Sequence, residues 1–441
     1  MRLREVQIHN YKSLRHVSLS PSPLTVLIGP NAAGKTNLCD ALDFLGEAYR
    51  LGLEMAVARK GGYENICYRR LRRSKDPISF TIKFELDWTE WDWRARRNRK
   101  DEQSGTIFEH SFAIRAESQN IKAPFYIASE QIKVALKPIS LSGRQLRLPL
   151  LGNGQRQYLL SCSRKQNSIT HFDYEGLKDF AGTGGEPRFL RYYASDLEAD
   201  YSKARLPSTE FLLSLIDRAF WGVSPFKNSI GSLRVFQLNP RNCRESGVPT
   251  PNPELDRFGG NLPAVVEFLK TRYPQLYSKL MNTIRRAMPS LHDLETQYTH
   301  RKTLGLFVSE EGFGRPWAAE DISDGTIQTI ALLAAAYDPR THIIVVEEPE
   351  NSVHPWALRN FVAAAREASE TKQVLLTTHS PILIDQLKPA ELWVVRRPQT
   401  ETIVTPILQL DPSLAAALGK GRFTLSEYLD SGAIREAVPA E

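Results

Sequence analysis

The sequence predicts an α/β fold whose central parallel sheet draws strands from both ends of the 441-residue chain. Two observations carry that prediction. Near the N-terminus a short apolar strand, "PLTVLI" (23–28), runs through a glycine-rich turn, "GPNAAGKTNL" (29–38), into a helix. In the last third, buried strands alternate with helices in the order "DGTIQTIALLAAAY", "HIIVVEEP", "PWALRNFVAAAREAS", "KQVLLTTHSP". Alternation of that kind produces parallel pairing through right-handed crossovers. The turn and its expected chemical partners stand at opposite ends of the sequence, so one sheet must gather both.

Each element can be justified in turn. "LREVQIHNYKSL" (3–14) alternates as a strand, and "TNLCDALDFLGEAYRLGLEMA" (36–56) has helical spacing. "PISFTIKFELDW" (77–88) and "KAPFYIASEQIKVAL" (122–136) are β-rich and alternate, with the basic stretch "TEWDWRARRNRKDEQSG" between them as a hairpin tip or loop. Residues 137–254 are broken by "TGGEP" and "GVPTPNPE" and read as an insertion of mixed structure, with one helix expected in "STEFLLSLIDRAFWG". From "GGNLPAVVEFLKTRYPQLYSKLMNTIRRAM" onward helix is clear, and "ELWVVRR" and "TIVTPIL" read as late strands. The expected organisation is therefore an N-terminal lobe over 1–136, the insertion over 137–254 and a helical and C-terminal part over 255–441. No internal repeat or sustained heptad is present.

Composition narrows the class. Hydrophobic residues make up 41% and charged residues 24%, an ordinary globular balance. No run reaches the ~20 apolar residues that span a bilayer, and "MRLREVQIHNYKSL" lacks the apolar core of a signal peptide, so a cytoplasmic protein with no membrane partner is expected. Cys39, Cys67, Cys162 and Cys243 are scattered without C-x-x-C spacing, which argues for free thiols rather than disulfides or zinc. A net charge of +7 and a pI near 9.1 permit nucleic-acid contact without requiring it.

The chemistry lies in four segments. "GPNAAGKT" has the spacing G-x-x-x-x-G-K-[ST]: Gly29 and Gly34 allow the tight turn, backbone N–H groups from 31 to 36 can face phosphate oxygens, and Asn31 and Asn37 are further candidate nucleotide-binding residues. Lys35 can reach the β- and γ-phosphates, and the Thr36 hydroxyl can hold Mg²⁺. In "HIIVVEEPE", Glu347 and Glu348 follow four apolar residues at the C-terminal end of a strand, where open parallel sheets place ligands. Glu347 suits metal binding through a water, and Glu348 suits activation of an attacking water. "ISDGT" offers Ser323 and Gly325 at a helix N-terminus, an anion-favouring position that plain capping would also explain. "LLTTHSP" ends the next strand with His379, able to hydrogen-bond a phosphate or the attacking water.

These segments, in this order and spacing, resemble the ABC-type ATPase heads of the RecF, SMC and OLD group. "IHNYKSL" (8–14) is similar to that group's first strand, and "LDRFGGNLPAVVEFL" (255–269) and "LSEYLDSGAI" (425–434) are similar to OLD-like AAA-family ATPases without a Toprim domain. The resemblance covers roughly 1–136 and 255–434. It implies an antiparallel β lobe, a parallel Walker sheet and a helical signature lobe, with ATP and Mg²⁺ as cofactors. By that resemblance Lys35 and Thr36 are the Walker A pair, Glu347 and Glu348 the Walker B metal and catalytic positions, Ser323 to Gly325 the signature, Asn351 to His354 the D-loop and His379 the switch histidine. It further implies a homo-oligomer, at least a head-to-head dimer, in which Ser323 of one chain reaches the γ-phosphate held by the other.

Departures from the pattern refine the reading. Transport-type heads carry S-G-G-Q, whereas "SDGT" favours the DNA-metabolism branch. Glu347 stands where Asp is commoner, and Gln131 in "ASEQIKV" is the candidate Q-loop residue. The stretch after "TTHSP" has no acidic cluster of the Toprim kind, so no intrinsic nuclease is expected and toxic or nuclease chemistry falls to a separate effector protein. The basic, tryptophan-bearing stretch 88–100, with 59–75, could track double-stranded nucleic acid or simply be a solvated hairpin. The expectation is thus a Mg²⁺-dependent ATPase acting as a switch in DNA metabolism or antiphage defence. The alternatives are a RecF-like repair ATPase and an ATP-binding scaffold that hardly turns over.

Overall fold

The structure is a computed structural model that describes residues 1–68, 76–87, 105–117, 124–136, 160–173, 207–219, 223–419 and 423–431. The tryptophan-bearing stretch 88–100 and residues 69–75 of the second basic stretch lie outside the described residues, as does much of 137–254. In chain order the first strands are β1 (Arg2–Tyr11), β2 (Leu14–Leu19), β3 (Leu24–Ile28), β4 (Ile78–Asp87), β5 (Gly105–Ala116), β6 (Phe125–Leu136), β7 (Leu160–Lys165) and β8 (Ser168–Asp173). They are followed by β9 (Arg234–Phe236), β10 (Leu291–Tyr298), β11 (Leu304–Glu310), β12 (Trp317–Ala318), β13 (Ile343–Glu347), β14 (Gln373–Thr377), β15 (Leu392–Arg396) and β16 (Ile403–Pro406). Two compact units result, each discontinuous in sequence. The first comprises Met1–Pro21, Phe44–Gly231 and Gln399–Thr402; the second comprises Ser22–Asp43, Ser232–Pro398 and Ile403–Glu441.

The first unit is built on a seven-stranded sheet in the order β2-β1-β4-β5-β6-β7-β8, antiparallel at every pairing. Its strands alternate because one face is buried: along β4, Ile78, Phe80, Ile82 and Phe84 point into the core while Ser79, Thr81 and Lys83 do not. On the buried face Phe80 stacks between Phe44 and Phe112, with ring centroids 5.5 and 5.3 Å away. The segment read from sequence as an insertion supplies β7 and β8, which extend this sheet. It also supplies a helix over Leu212–Ala219, whose first amides donate to Glu130 (Leu212 N at 2.9 Å, Leu213 N at 3.3 Å). Glu130 is fully buried and meets His110 at 2.9 Å and Arg164 at 3.4 Å, so its charge is matched by a cation and a helix N-terminus. Gln131 sits in the middle of β6, opposite Ser111 and Ser163, in a strand rather than a loop.

The second unit holds the parallel sheet, in the order β16-β15-β3-β14-β13-β9. Pairings from β15 to β9 are parallel, and β16 adds an antiparallel edge. The N-terminal strand β3 lies between β14 and β15, so both ends of the chain do build one sheet. β3, β13 and β14 are buried at every position, as strands covered on both faces must be. Helix α1 (Lys35–Leu51) leaves the end of β3. Helices α2 (Leu262–Arg272), α3 (Pro274–Ala287), α4 (Asp324–Tyr337) and α5 (Pro355–Ala368) follow, with a small antiparallel sheet β10-β11-β12. Helix α4 is buried all round from Ile327 to Tyr337, which explains why "TIQTIALLAAAY" shows almost no polar face. Lys372, itself buried, donates to Ala336 O (3.0 Å), Asp338 O (2.6 Å) and Thr341 Oγ1 (3.2 Å), closing the carbonyl end of α4. "TIVTPIL" is a strand only over Ile403–Pro406; Ile407–Leu410 turns into a short helix. All four cysteines are free, and no helix among the described residues is long and apolar enough to cross a membrane.

Candidate functional site

β3 delivers the chain to Gly29 at the C-terminal edge of the parallel sheet. There φ is +147°, and a Cβ would stand 1.9 Å from the Val395 carbonyl oxygen of β15, so only glycine lets the chain leave the strand at this point. Ala32 (φ +62°) and Gly34 (φ +106°) complete the turn, and Ala33 N donates to Pro30 O at 3.3 Å. Asn31 and Thr36 are exposed and Asn37 half-exposed at the mouth of α1, whose N-terminal amides carry the helix's positive end. Lys35 folds back over the turn, donating from Nζ to Gly29 O (2.8 Å) and Pro30 O (3.0 Å). Burial lowers its pKa, and Glu348 partly opposes that shift.

Glu347 ends β13 in register with Thr377 of β14 and is buried. Its carboxylate hydrogen-bonds with Thr36 and accepts from Arg257 Nη2 at 2.8 Å. Burial raises its pKa, and the Arg257 charge works against that rise. Glu348 departs from the strand with φ +47°, a left-handed conformation that costs a non-glycine residue about 1–2 kcal/mol. Its backbone N–H is held there by Thr377 (O at 3.0 Å, Oγ1 at 3.2 Å). The turn sends the Glu348 side chain outward, where it accepts from Asn351 Nδ2 at 3.1 Å and lies 3.8 Å from His379 Nε2. Burial, and then Lys35, lower the His379 pKa, a shift that favours the uncharged ring. Glu350 fixes the histidine loop: its Oε1 accepts from Thr378 Oγ1 (2.8 Å) and His379 N (2.7 Å).

The signature segment starts α4. Ser323 caps the helix by accepting from Thr326 N at 3.2 Å, and both Ser323 and Asp324 are exposed. Arg244 braces this entry, bonding Asp324 Oδ1 (2.7 Å), Ala319 O (3.1 Å) and Ile322 O (2.6 Å). At Gly325 an added Cβ would stand 2.7 Å from Ser352 O, so the start of α4 packs on the loop that follows β13. Ser352 is itself left-handed (φ +60°).

The folded chain thus gathers Gly29, Gly34, Lys35, Thr36, Glu347, Glu348 and His379 along the ends of three adjacent parallel strands. Gly325 stands against Ser352, and Ser323 caps the same helix. Four residues were not assigned roles from sequence: Arg257, Arg244, Glu350 and Thr377. Arg257, Glu350 and Thr377 lie within the motifs, yet a single arginine before two glycines, a third acid after "EEP" and a threonine at a strand end carry no local signal of a partner.

The donor set suits a nucleotide with Mg²⁺. A hydroxyl and a carboxylate, Thr36 and Glu347, are hard oxygen ligands, and no cluster of three or more His, Cys, Asp or Glu able to cage a metal exists among the described residues. That pairing matches Mg²⁺ held by one or two protein groups together with phosphate oxygens and water.

Two family models match the chain: "AAA ATPase domain" over residues 1–140, and "AAA domain, putative AbiEii toxin, Type IV TA system" over 225–385. The chain is 21% identical over 436 residues to the OLD nuclease of Thermus scotoductus, covering 97% of this chain and 68% of that protein. It is 33% identical over 107 residues to the DNA replication and repair protein RecF of Bacillus mycoides, and 35% identical over 82 residues to Structural maintenance of chromosomes protein 1 of Schizosaccharomyces pombe. Those matches span only 27% and 6% of the two relatives. Among solved structures, an SMC head bound to the C-terminal winged-helix domain of ScpA superposes with a TM-score of 0.50 at 10% identity, covering 92% of this chain and 98% of that one. At such identity the likeness is one of fold.

Proposed function

We propose that this chain, an ABC-type ATPase head of the RecF, SMC and OLD group, binds and hydrolyses ATP with Mg²⁺ as a switch that a separate effector reads. The observation that carries the reading is the meeting of the phosphate cradle with Glu347, Glu348 and His379 at the ends of β3, β13 and β14. The α1 N-terminus and Lys35 would hold the phosphates, Lys35 exchanging its bonds to Gly29 O and Pro30 O for phosphate oxygens. Thr36 and Glu347 would hold Mg²⁺, which neutralises charge building on the transferred phosphoryl group. Glu348, aimed out of the strand and steadied by Asn351, would orient the attacking water and take its proton; His379 would hydrogen-bond the γ-phosphate.

Ser323 stands exposed at the start of a long buried helix, where it would meet a phosphate held by a second copy, so two heads would close over two nucleotides. Similarity over 97% of this chain to an OLD nuclease favours an OLD-like setting over RecF-like repair, and antiphage defence is the role proposed for it. Cleavage or toxicity is assigned to the effector, and duplex DNA is a candidate trigger.

The test is ATP turnover per chain across protein concentrations, with and without duplex DNA, against Lys35→Ala as the blank. A per-chain rate that rises with concentration is expected, and Glu348→Gln should trap an ATP-bound dimer. A flat rate together with an inert Glu348→Gln would replace the switch with a scaffold. Metal-dependent cleavage of plasmid by the purified chain would overturn the separate effector.

A further inference from the structure

The segment "LDRFGGNLPAV" folds into a turn beside the nucleotide site. Asp256 Oδ1 accepts from Phe258 N and Gly260 N, both at 2.8 Å, and ties the segment into a tight turn. Gly259 takes φ +95°, and a Cβ there would lie 2.2 Å from Cys243 Sγ; at Gly260 a Cβ would meet Asp256 Oδ2 at 2.2 Å. The flanks are pinned beyond β9, with Gln237 N donating to Arg257 O (2.8 Å) and Asn239 N to Phe258 O (2.9 Å). These contacts fix the path of the turn, and the side chain it presents to the site is the Arg257 guanidinium.

That guanidinium makes three ionic contacts. Arg257 Nη2 lies 2.8 Å from Glu347 Oε1, and Nη1 lies 3.3 Å from Asp43 Oδ2 and 3.7 Å from Asp40 Oδ1. Asp40 and Asp43 belong to α1, the helix that opens with Lys35 and Thr36. One side chain therefore brackets the carboxylate proposed to hold the metal and the helix that holds the phosphates. Glu347 is nearly inaccessible, its side chain 3% exposed, so an unmatched charge there would be costly. With Oε1 taken by Arg257, the Glu347 carboxylate is fixed in rotation beside the Thr36 hydroxyl.

We infer that Arg257 is a positioning residue for the metal half of the nucleotide site, orienting Glu347 toward Thr36 and locking α1 to the end of β13. It acts through its ionic partners Glu347, Asp40 and Asp43. Partners that orient ligating carboxylates in this way commonly set metal affinity by about 10–100-fold. The inference rests on the ATP–Mg²⁺ reading of the site.

The test uses the full chain and a fluorescent ATP analogue, titrated without divalent metal and then across Mg²⁺ concentrations, for wild type, Arg257→Gln and Arg257→Lys. In Arg257→Gln the Mg²⁺ concentration for half-maximal effect should rise about 10–100-fold, a larger change than any in metal-free nucleotide binding. Arg257→Lys, which keeps the charge but not the fork, should recover part of that loss. In turnover at saturating ATP, excess Mg²⁺ should restore most of the rate in Arg257→Gln. If Arg257→Gln does not fold, Asp43→Asn loosens the same bracket and must raise the Mg²⁺ requirement. An unchanged Mg²⁺ requirement in folded variants overturns the assignment. Wild type that binds no ATP at any Mg²⁺ concentration would instead remove the underlying reading.

Discussion

Replacing Gly325 by alanine separates the site's geometry from its stability. The new Cβ would stand 2.7 Å from Ser352 O and 3.9 Å from His354 N. A carbon–oxygen contact settles near 3.3–3.6 Å, so the loop that follows β13 must retreat by about 0.6–0.9 Å. Overpacking of this kind costs about 1–3 kcal/mol. Alanine is also the better helix former by about 1 kcal/mol, and Gly325 lies in the first turn of α4. The net loss of stability is therefore small, about 0–2 kcal/mol. Turnover should respond much more strongly. Ser352 follows Asn351, whose amide steadies Glu348 at 3.1 Å, and a displacement approaching 1 Å at the group proposed to activate water can cost about 100-fold. Steady-state kinetics should show kcat falling about 10–100-fold with nucleotide affinity nearly unchanged. Gly419→Ala, where a Cβ meets nothing within 4 Å, is the control. A Gly325→Ala protein with wild-type kcat would show that the packing of α4 on the loop that follows β13 does not reach Glu348, and the argument would fail.

Other expectations follow from the same contacts. Gly29→Ala adds a 1.9 Å clash with Val395 O to an unfavourable φ, so soluble protein or nucleotide binding should be lost; Gly52→Ala, with φ +92° and open space, measures the backbone cost alone. Ser323→Ala removes a helix cap worth about 1 kcal/mol, so a thermal melt should shift only modestly, while the concentration-dependent part of ATP turnover disappears; retention of that part would refute a role in trans. Burial lowers the Lys372 pKa from 10.5 to about 8. The unfolded chain then binds more protons between those values, so this residue's contribution to stability is least below pH 8 and rises toward pH 10.5. Urea unfolding of wild type against Lys372→Met should show the difference moving in favour of wild type with pH, by on the order of 3 kcal/mol across the window. A difference that is flat, or that moves the other way, would refute the shift.

What the sequence determined by itself were the parts whose physics is local. A glycine-rich turn between an apolar strand and a helix, two acids after four apolar residues and a histidine after "LLTT" each announce a strand end, and their spacing puts them on successive parallel strands. The α/β class followed from the same alternation of strand and helix. Tertiary structure decided what depends on non-local pairing. β3 lies between β14 and β15 because apolar strands of nearly equal character can be ordered only by the helices that cross over them. The hairpin β7–β8, broken by polar residues in sequence, joins the antiparallel sheet because an adjacent strand edge offers it hydrogen bonds. Arg257, Glu350 and Gly325 owe their roles to partners far along the chain: Glu347, the His379 loop and Ser352. A charge or a missing Cβ looks the same in sequence whether it faces water or a buried carboxylate, and only the folded chain supplies the distance that distinguishes them.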